Sequence, residues 1–257
     1  MNLRHLSVLA AATCLMVLPL RADEVANQWV AKARAYLGTN AALDAVHSLR
    51  FQGSFAGTEQ VPDSANSGKV VEQPVKVSID IIFQQPMQQR QVIRSDRVER
   101  VTALDGYDAW EQVVDLSGKN KPRVTLLDAM SIKRLRATTV ENLSFYSDRL
   151  ASMRQVRFLG EETVDGVICG KLSFTHASGI VFLRYFDRAS GHIVKTVVEG
   201  GGEIREEGEL IVKGIRFPQK VINTAPNGRS TTINFDQITV NDPFPPESFA
   251  VPTLAAR

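Results

Sequence analysis

Cysteine is scarce in this chain of 257 residues, which contains only Cys14 and Cys169. Cys14 lies in an N-terminal apolar run that we expect to be removed. The single cysteine that remains excludes an internal disulfide, so the fold must be held together by a hydrophobic core. Cys169 stands in a strand-like stretch without the sequence context of a cysteine hydrolase. Its simplest interpretation is a small buried hydrophobic side chain.

The sequence also lacks an apolar run long enough to cross a membrane. The N-terminal run from Leu6 to Leu18 has about 13 residues, whereas a transmembrane helix needs about 20. It follows basic Arg4 and precedes the helix breaker Pro19 and small Ala22, an order typical of a secretory signal peptide. We predict a signal peptide over residues 1–22, a single mature domain over 23–257, and a periplasmic location. An uncleaved N-terminal anchor is the alternative.

Excess charge of either sign is absent from the mature chain. The whole sequence has 30 Lys and Arg residues against 28 Asp and Glu. The signal segment carries Arg4, Arg21 and no acid, so 28 of each sign remain. Binding to nucleic acid requires surplus positive charge, and nucleic acid is therefore not an expected partner.

Signatures of catalysis and of metal or cofactor binding are missing as well. There is no Gly-x-Ser-x-Gly motif, phosphate loop or dinucleotide fingerprint. His47, His176 and His192 are isolated from one another in sequence, so no metal site is expected. The acidic pairs Glu161-Glu162 and Glu206-Glu207 would point to opposite faces of a strand, and we interpret them as solvated strand positions. We expect no catalytic residue and no cofactor.

Hydrophobic periodicity predicts helices first and strands afterwards. Asp23–Tyr36 and Ala41–His47 have helical spacing. From Leu49 the period becomes two, over 49–55 and again over 75–83, as in an antiparallel sheet with one apolar face. The polar stretch Gly57–Gln73 between these runs predicts a long loop.

The remainder of the sequence predicts further strands around one helical insert. Three short strands are expected between 89 and 115, two of them joined by a turn at Asp105-Gly106. Residues 125–155 predict an insert of two helices or of one helix broken near 137–139. Closely spaced turns over 156–240 predict a meander of about six strands. We predict a mainly β fold with helices (α+β), in which about eleven antiparallel strands form a strongly curved, half-open barrel lidded by the N-terminal helix and the insert.

Apolar side chains on the predicted inner face are the candidate ligand-binding residues. They either pack together as an ordinary core or enclose a cavity for a lipid-like ligand, and the sequence leaves both interpretations open. The candidates are Phe51, Phe55, Ile79, Ile81, Phe83, Trp110, Leu126, Met130, Phe145, Tyr146, Phe174 and Phe182.

A basic cluster on the insert also has two interpretations. Lys133, Arg134 and Arg136 form either the solvated face of an amphipathic helix or a surface for docking a partner.

The C-terminal half carries a series of turn and strand-end motifs. They are Val164-Asp165-Gly166, Phe186-Asp187, Gly214-Ile215-x-Phe217-Pro218, Asn241-Asp242-Pro243 and Phe249-x-x-Pro252. In this order they resemble the LolA/LolB-like superfamily of outer-membrane lipoprotein-sorting proteins and its periplasmic relatives. The N-terminal stretch YLGTNAALDAVHSLRFQGSF is similar to the first helix and strand of such proteins.

This resemblance implies an incomplete barrel lidded by helices and a non-catalytic function. The implied activity is to carry an apolar ligand, a lipid or the acyl part of a lipoprotein, through the periplasm as a monomer. The alternative is an envelope sensor or interaction module of the same fold, which binds a protein of the inner or outer membrane. The basic residues Lys133, Arg134 and Arg136 would then be the docking candidates.

Overall fold

The computed structural model describes residues 20–62, 69–147 and 154–252. Most of the predicted signal peptide, residues 1–19, lies outside the described residues. The first helix, α1, spans Leu20–Leu37 and α2 spans Asn40–Asp44. Thr39 begins α2, since its side chain accepts a hydrogen bond from the Ala42 N–H. In the described part of the chain, no helix is both long and apolar enough to span a membrane.

The described residues form one large antiparallel sheet. Thirteen strands follow the order β6-β5-β4-β3-β2-β1-β15-β14-β11-β10-β9-β8-β7, and β12 and β13 form a separate hairpin. The fold is mainly β, and the sheet does not close, because β6 and β7 at its two ends do not pair with each other. This confirms the predicted half-open curved barrel. The strands are β1 Ser48–Pro62, β2 Val70–Gln84, β3 Gln88–Arg94, β4 Val98–Asp105, β5 Asp108–Asp115, β6 Arg123–Leu126, β7 Arg154–Val164, β8 Val167–His176, β9 Val181–Asp187, β10 Ile193–Val197, β11 Glu203–Glu207, β12 Leu210–Val212, β13 Ile215–Phe217, β14 Lys220–Thr224 and β15 Ser230–Val240.

The predicted loop over Gly57–Gln73 is wrong. Strands β1 and β2 pair along their whole lengths, from Ser48 opposite Gln84 to Pro62 opposite Val70. Only residues 63–68 of that stretch lie outside the described chain. The far end of this hairpin has no apolar alternation because it extends past β3, which starts pairing only at Ser78. A strand without a covered face needs no apolar side, and its polar sequence resembles that of a loop.

The predicted insert is also narrower than expected. Residues 123–126 form edge strand β6, and a single helix, α3, spans Ala129–Ser144 without a break at 137–139. Asp128 begins α3 by accepting a hydrogen bond of 2.7 Å from the Ser131 N–H. Within the helix, the Thr139 hydroxyl donates to the Leu135 carbonyl at 2.9 Å, so this β-branched residue fits a continuous helix. The last residues of the predicted insert, up to 153, lie outside the described residues.

Helix α3 lies across the concave face of the sheet. Its Val140 packs with Met87, Leu104 and Ala109 from the β2–β5 side. Its end reaches a second core that includes Leu143, Phe145 and the strand residue Phe51. The helix therefore covers the inner face between the two halves of the sheet.

Helix α1 covers the other end of the sheet, against β7 and β8. Trp29 stacks on Phe158 with ring centroids 6.2 Å apart and an interplanar angle of 12°. Gly170 allows this approach, because a Cβ atom at that position would lie 2.5 Å from the indole of Trp29. One glycine therefore sets the distance between α1 and the sheet.

Candidate functional site

A cavity of about 590 Å³ lies between α3 and the concave face of the sheet. Its floor includes Phe51 and Phe235 from the middle strands β1 and β15, and Phe217 from the β12–β13 hairpin. Phe51 contacts the other two rings at centroid distances of 5.8 and 5.3 Å. The alternation of β1 and β15 places Phe51 and Phe235 on the inner face. An apolar floor beneath a helix is suited to an apolar ligand.

The segment that ends α3 forms one wall of the cavity. Phe145 and Tyr146 both line it, and both have positive φ angles, 45° and 65°. Two consecutive bulky residues in the left-handed region are unusual and strained. Arg34 of α1 holds this turn by donating to the Phe145 carbonyl at 2.9 Å. The backbone thus turns both aromatic rings toward the concave face.

A buried charge network anchors α3 at the same wall. The Glu141 carboxylate accepts hydrogen bonds from Arg154 at 3.0 Å and from Arg184, and it lies 2.8 Å from His176 Nε2. Burial alone raises the pKa of Glu141, but Arg184, the His176 hydrogen bond and Arg154 outweigh it and lower the pKa to about 2. Glu141 is therefore ionised and ties one helix to three strands.

Arg184 is enclosed by aromatic rings as well as by this network. Its guanidinium carbon lies 4.9 Å from the Tyr146 ring centroid, 4.7 Å from that of Phe174 and 5.7 Å from that of Phe182. Its Nε atom is buried without a hydrogen-bond partner in the described structure. Burial raises the pKa of the Tyr146 hydroxyl, so this ring stays neutral.

Glu206 also lines the cavity, on the inner face of β11. Glu207 points to the other face and pairs with Lys220 at 2.8 Å. The prediction that the two acids face opposite sides is therefore right, but Glu206 is half-buried in the cavity wall and not on a solvated face. Burial raises the pKa of Glu206, and Arg184 only partly offsets this effect.

An ion pair crosses the rim of the cavity. Arg134 Nε of α3 lies 2.8 Å from Glu199 Oε2, in the turn between β10 and β11, and both residues line the cavity. The two side chains are 57% and 38% exposed. This contact joins the covering helix to the sheet on the solvent side.

Half of the sequence-predicted ligand residues line this cavity. These are Phe51, Ile81, Phe83, Phe145, Tyr146 and Phe182.

The other six predicted ligand residues lie outside its lining, for four reasons. Phe55 and Ile79 are on the same inner face but farther along the β1–β2 hairpin, and Phe174 is fully buried behind Arg184. Trp110 faces the opposite side of β5, where its indole N–H donates to the Phe249 carbonyl at 2.9 Å. Leu126 and Met130 are 71% and 42% exposed.

The three predicted docking residues lie on α3 in different settings. Arg134 is in the rim ion pair, whereas Arg136 donates to the Gly106 carbonyl and lies 3.8 Å from the Tyr107 ring centroid. Lys133 is exposed. Two of the three side chains are thus already engaged within the chain.

Cys169 is a core residue in the described structure. Cys169 is fully buried in a cluster with Val164 and Tyr185, and burial raises the pKa of its thiol. Among the described residues, no group of three or more His, Cys, Asp and Glu side chains is placed to hold a metal ion.

An open curved barrel whose helix covers an apolar cavity defines a class of fold with known examples. No family model and no curated protein matches the sequence. In structure, the chain is similar to a DUF1329 family protein from Desulfovibrio piger, at 13% identity and a TM-score of 0.51 over 88% of this chain and 97% of that one. It is equally similar to a LolA superfamily protein from Nitrosomonas europaea, at 12% identity and a TM-score of 0.51 over 88% and 97% of the two chains.

A third solved structure is similar to this chain to the same degree. It is a putative outer membrane lipoprotein-sorting protein domain from Vibrio parahaemolyticus, at 10% identity and a TM-score of 0.51, with 87% of this chain and 97% of that chain covered. The chain has a LolA-like fold, as its turn motifs predicted.

Proposed function

We propose that this protein is a non-catalytic periplasmic carrier that binds one apolar chain in the cavity beneath α3. The observation that carries the proposal is the cavity itself, about 590 Å³ with an aromatic floor. The LolA-like fold and the lipoprotein-sorting domain among the similar structures support a role with lipids or acylated proteins. The predicted signal peptide over residues 1–22 supports the periplasmic location.

The size of the cavity favours one acyl chain over several. A water molecule in the liquid occupies about 30 Å³, and a methylene group is of similar size. The cavity therefore holds roughly 20 such groups, which fits a single long chain. Each buried methylene contributes about 0.8 kcal/mol, so ten of them offset much of the entropic cost of association.

A cavity-filling variant tests this proposal. Val221 lines the cavity, whereas its neighbour Ile222 faces the other side of β14. Val221→Phe is expected to weaken binding of a pyrene-labelled fatty alcohol at least about tenfold, because the new ring occupies the ligand's space. Ile222→Phe, the matched control, should keep the wild-type affinity. Equal affinity of the two variants, or no binding by the wild type, would contradict the proposal.

An interaction module is the second candidate function, and one surface feature favours it. An exposed groove at the turn between β5 and β6 is lined by Lys119, Lys121 and Arg123. Clustered exposed cations suit an acidic partner. If this is the main function, Lys121→Glu with Arg123→Glu should abolish capture of a membrane protein, and Val221→Phe should leave capture unchanged. Loss of lipid binding in Val221→Phe with unchanged capture in the charge variant would favour the carrier.

A further inference from the structure

Six charged side chains line the cavity beneath α3, and five of them have an ion-pair partner. Arg134 pairs with Glu199, Glu141 with Arg184, and Arg216 with Glu209 outside the cavity. Glu206 is the sixth. In the described structure it forms no ion pair and no hydrogen bond.

The strand register places Glu206 beside apolar neighbours. Glu206 lies opposite Val221 of β14, and Val221 lies opposite Ile233 of β15. Both neighbours also line the cavity. The carboxyl group of Glu206 thus interrupts an otherwise apolar part of the floor. The next acid on the same strand, Glu207, faces outward instead and pairs with Lys220.

An unpaired carboxylate at this place costs folding free energy. Removing a charge from water without a partner is unfavourable, and a hydrophobic side chain would fill the same position on the floor without that cost. Burial accordingly raises the pKa of Glu206. A carboxyl group that lines a cavity without an ion-pair partner and has a raised pKa is a candidate for ligand recognition.

The groups around Glu206 decide which ligand charge fits. Arg184 on β9 is bound to Glu141 through Nη1, and its Nε is buried without a partner. Arg184 is thus already paired with Glu141, whereas the carboxyl group of Glu206 has no ion-pair partner in the described structure. The other titratable or charged groups nearby are Tyr146 after α3, Tyr36 of α1, Arg216 of β13, and Glu209 and His192 in the adjoining turns. Arg216 is paired with Glu209 and does not neutralise Glu206.

We propose that the ligand is a single-chain amphiphile whose polar end carries a protonated amine, and that Glu206 binds this ammonium group. The inference rests on the proposed carrier function and names the class of its ligand. The chain would lie on the aromatic floor, and the ammonium would supply the direct ion-pair partner that Glu206 lacks. Because a cation favours the ionised carboxyl, binding of the amine would lower the pKa of Glu206.

A set of three probes with the same apolar chain tests this proposal. Dodecylamine, dodecanol and dodecanoate are titrated by calorimetry at pH 7, below their aggregation concentrations. The wild type is expected to bind the amine about tenfold or more tightly than the alcohol, the effect of one charge-assisted hydrogen bond. Dodecanoate should bind most weakly. Amine affinity should fall as the pH is lowered and Glu206 takes up a proton, and alcohol affinity should stay constant.

Two variants separate recognition from folding. Glu206→Gln is expected to lose the preference for the amine and to keep the alcohol affinity within about twofold, since its shape is unchanged. Glu207→Gln, the outward-facing control, should keep the full preference. Thermal melts at pH 7 show whether each variant is folded, and Glu206→Gln is expected to melt above the wild type because it removes a half-buried charge that has no ion-pair partner.

The outcomes distinguish this inference from the function on which it rests. An amine preference that survives in Glu206→Gln, or a wild type that prefers dodecanoate, overturns the inference. If all three probes bind equally, the carrier function stands and the role of Glu206 does not. If none of them binds, the carrier function itself fails.

Discussion

Glu141, on the helix that covers the cavity, accepts a hydrogen bond of 3.0 Å from Arg154 at the start of edge strand β7. Both side chains are at most 3% exposed. The same carboxylate binds Arg184 of β9. A single acid thus fixes the helix against the half of the sheet that its apolar face does not contact.

Removing this charge should destabilise the protein strongly. Glu141→Gln leaves two buried arginines without their counter-charge, which is expected to cost roughly 3 kcal/mol or more of unfolding free energy. Urea denaturation followed by circular dichroism measures the loss. Glu162→Gln is the matched control, because its partner Lys171 is on the surface and an exposed ion pair contributes at most about 1 kcal/mol. A similar small loss in both variants would mean that the network does not anchor the helix.

The same network predicts a loss of stability in acid. The pKa of Glu141 in the folded protein is about 2, below its ordinary value of 4.5. A lowered pKa stabilises the fold above the unfolded-state value, and this stabilisation is lost as the pH falls from 4.5 toward 2. Between pH 6 and pH 3, the wild type should therefore lose roughly 2 kcal/mol more than Glu141→Gln. Parallel pH profiles for the two proteins would contradict the ionised state of Glu141.

The rim ion pair should limit ligand exchange rather than stability. Arg134→Ala removes the contact between α3 and Glu199 and is expected to speed dissociation of a bound fluorescent fatty alcohol by about two- to fivefold, the effect of an exposed pair worth up to about 1 kcal/mol. Stopped-flow fluorescence gives the dissociation rate. Lys133→Ala, on the adjacent exposed position, should leave it unchanged. If both variants exchange ligand at the wild-type rate, α3 does not control access through this rim.

The position of α1 on the sheet depends on Gly170. A Cβ at this position would lie 2.5 Å from the Trp29 indole, so Gly170→Ala should push the helix away and lower the thermal midpoint by several degrees. Trp29→Leu has room for the added methyl group, and the double variant should recover stability relative to the sum of the two single changes. Strict additivity in this cycle would show that Trp29 and Gly170 are not in contact.

The sheet could be predicted from the sequence because its central strands alternate strictly. Leu49, Phe51, Phe83 and Ile81 share one face in the sequence pattern and in the structure, where Leu49 pairs with Phe83 and Phe51 with Ile81. Outer parts were harder to predict. Strand β6 has only four residues, too few to show a clear alternation of apolar and polar side chains. Leu126 at its end is exposed on the edge of the sheet.

The candidate site was only half predictable for a related reason. Alternation separates the two faces of a strand but does not say which face is concave, so Trp110 was assigned to the inner side although Ala109 faces α3. Glu206 was missed because adjacent acids are usually solvated. Because adjacent residues of a strand point to opposite faces, the outward position of Glu207 already predicts that Glu206 points inward.

Native mass spectrometry tests the central claim most directly. The full-length protein is expressed with its own N-terminal segment, recovered from the periplasm and sprayed without detergent. A single bound amphiphile, one per chain, is expected for the wild type and for Ile222→Phe and should be absent from Val221→Phe. Wild-type protein without cargo that also fails to take up any single-chain amphiphile added in solution would contradict the account.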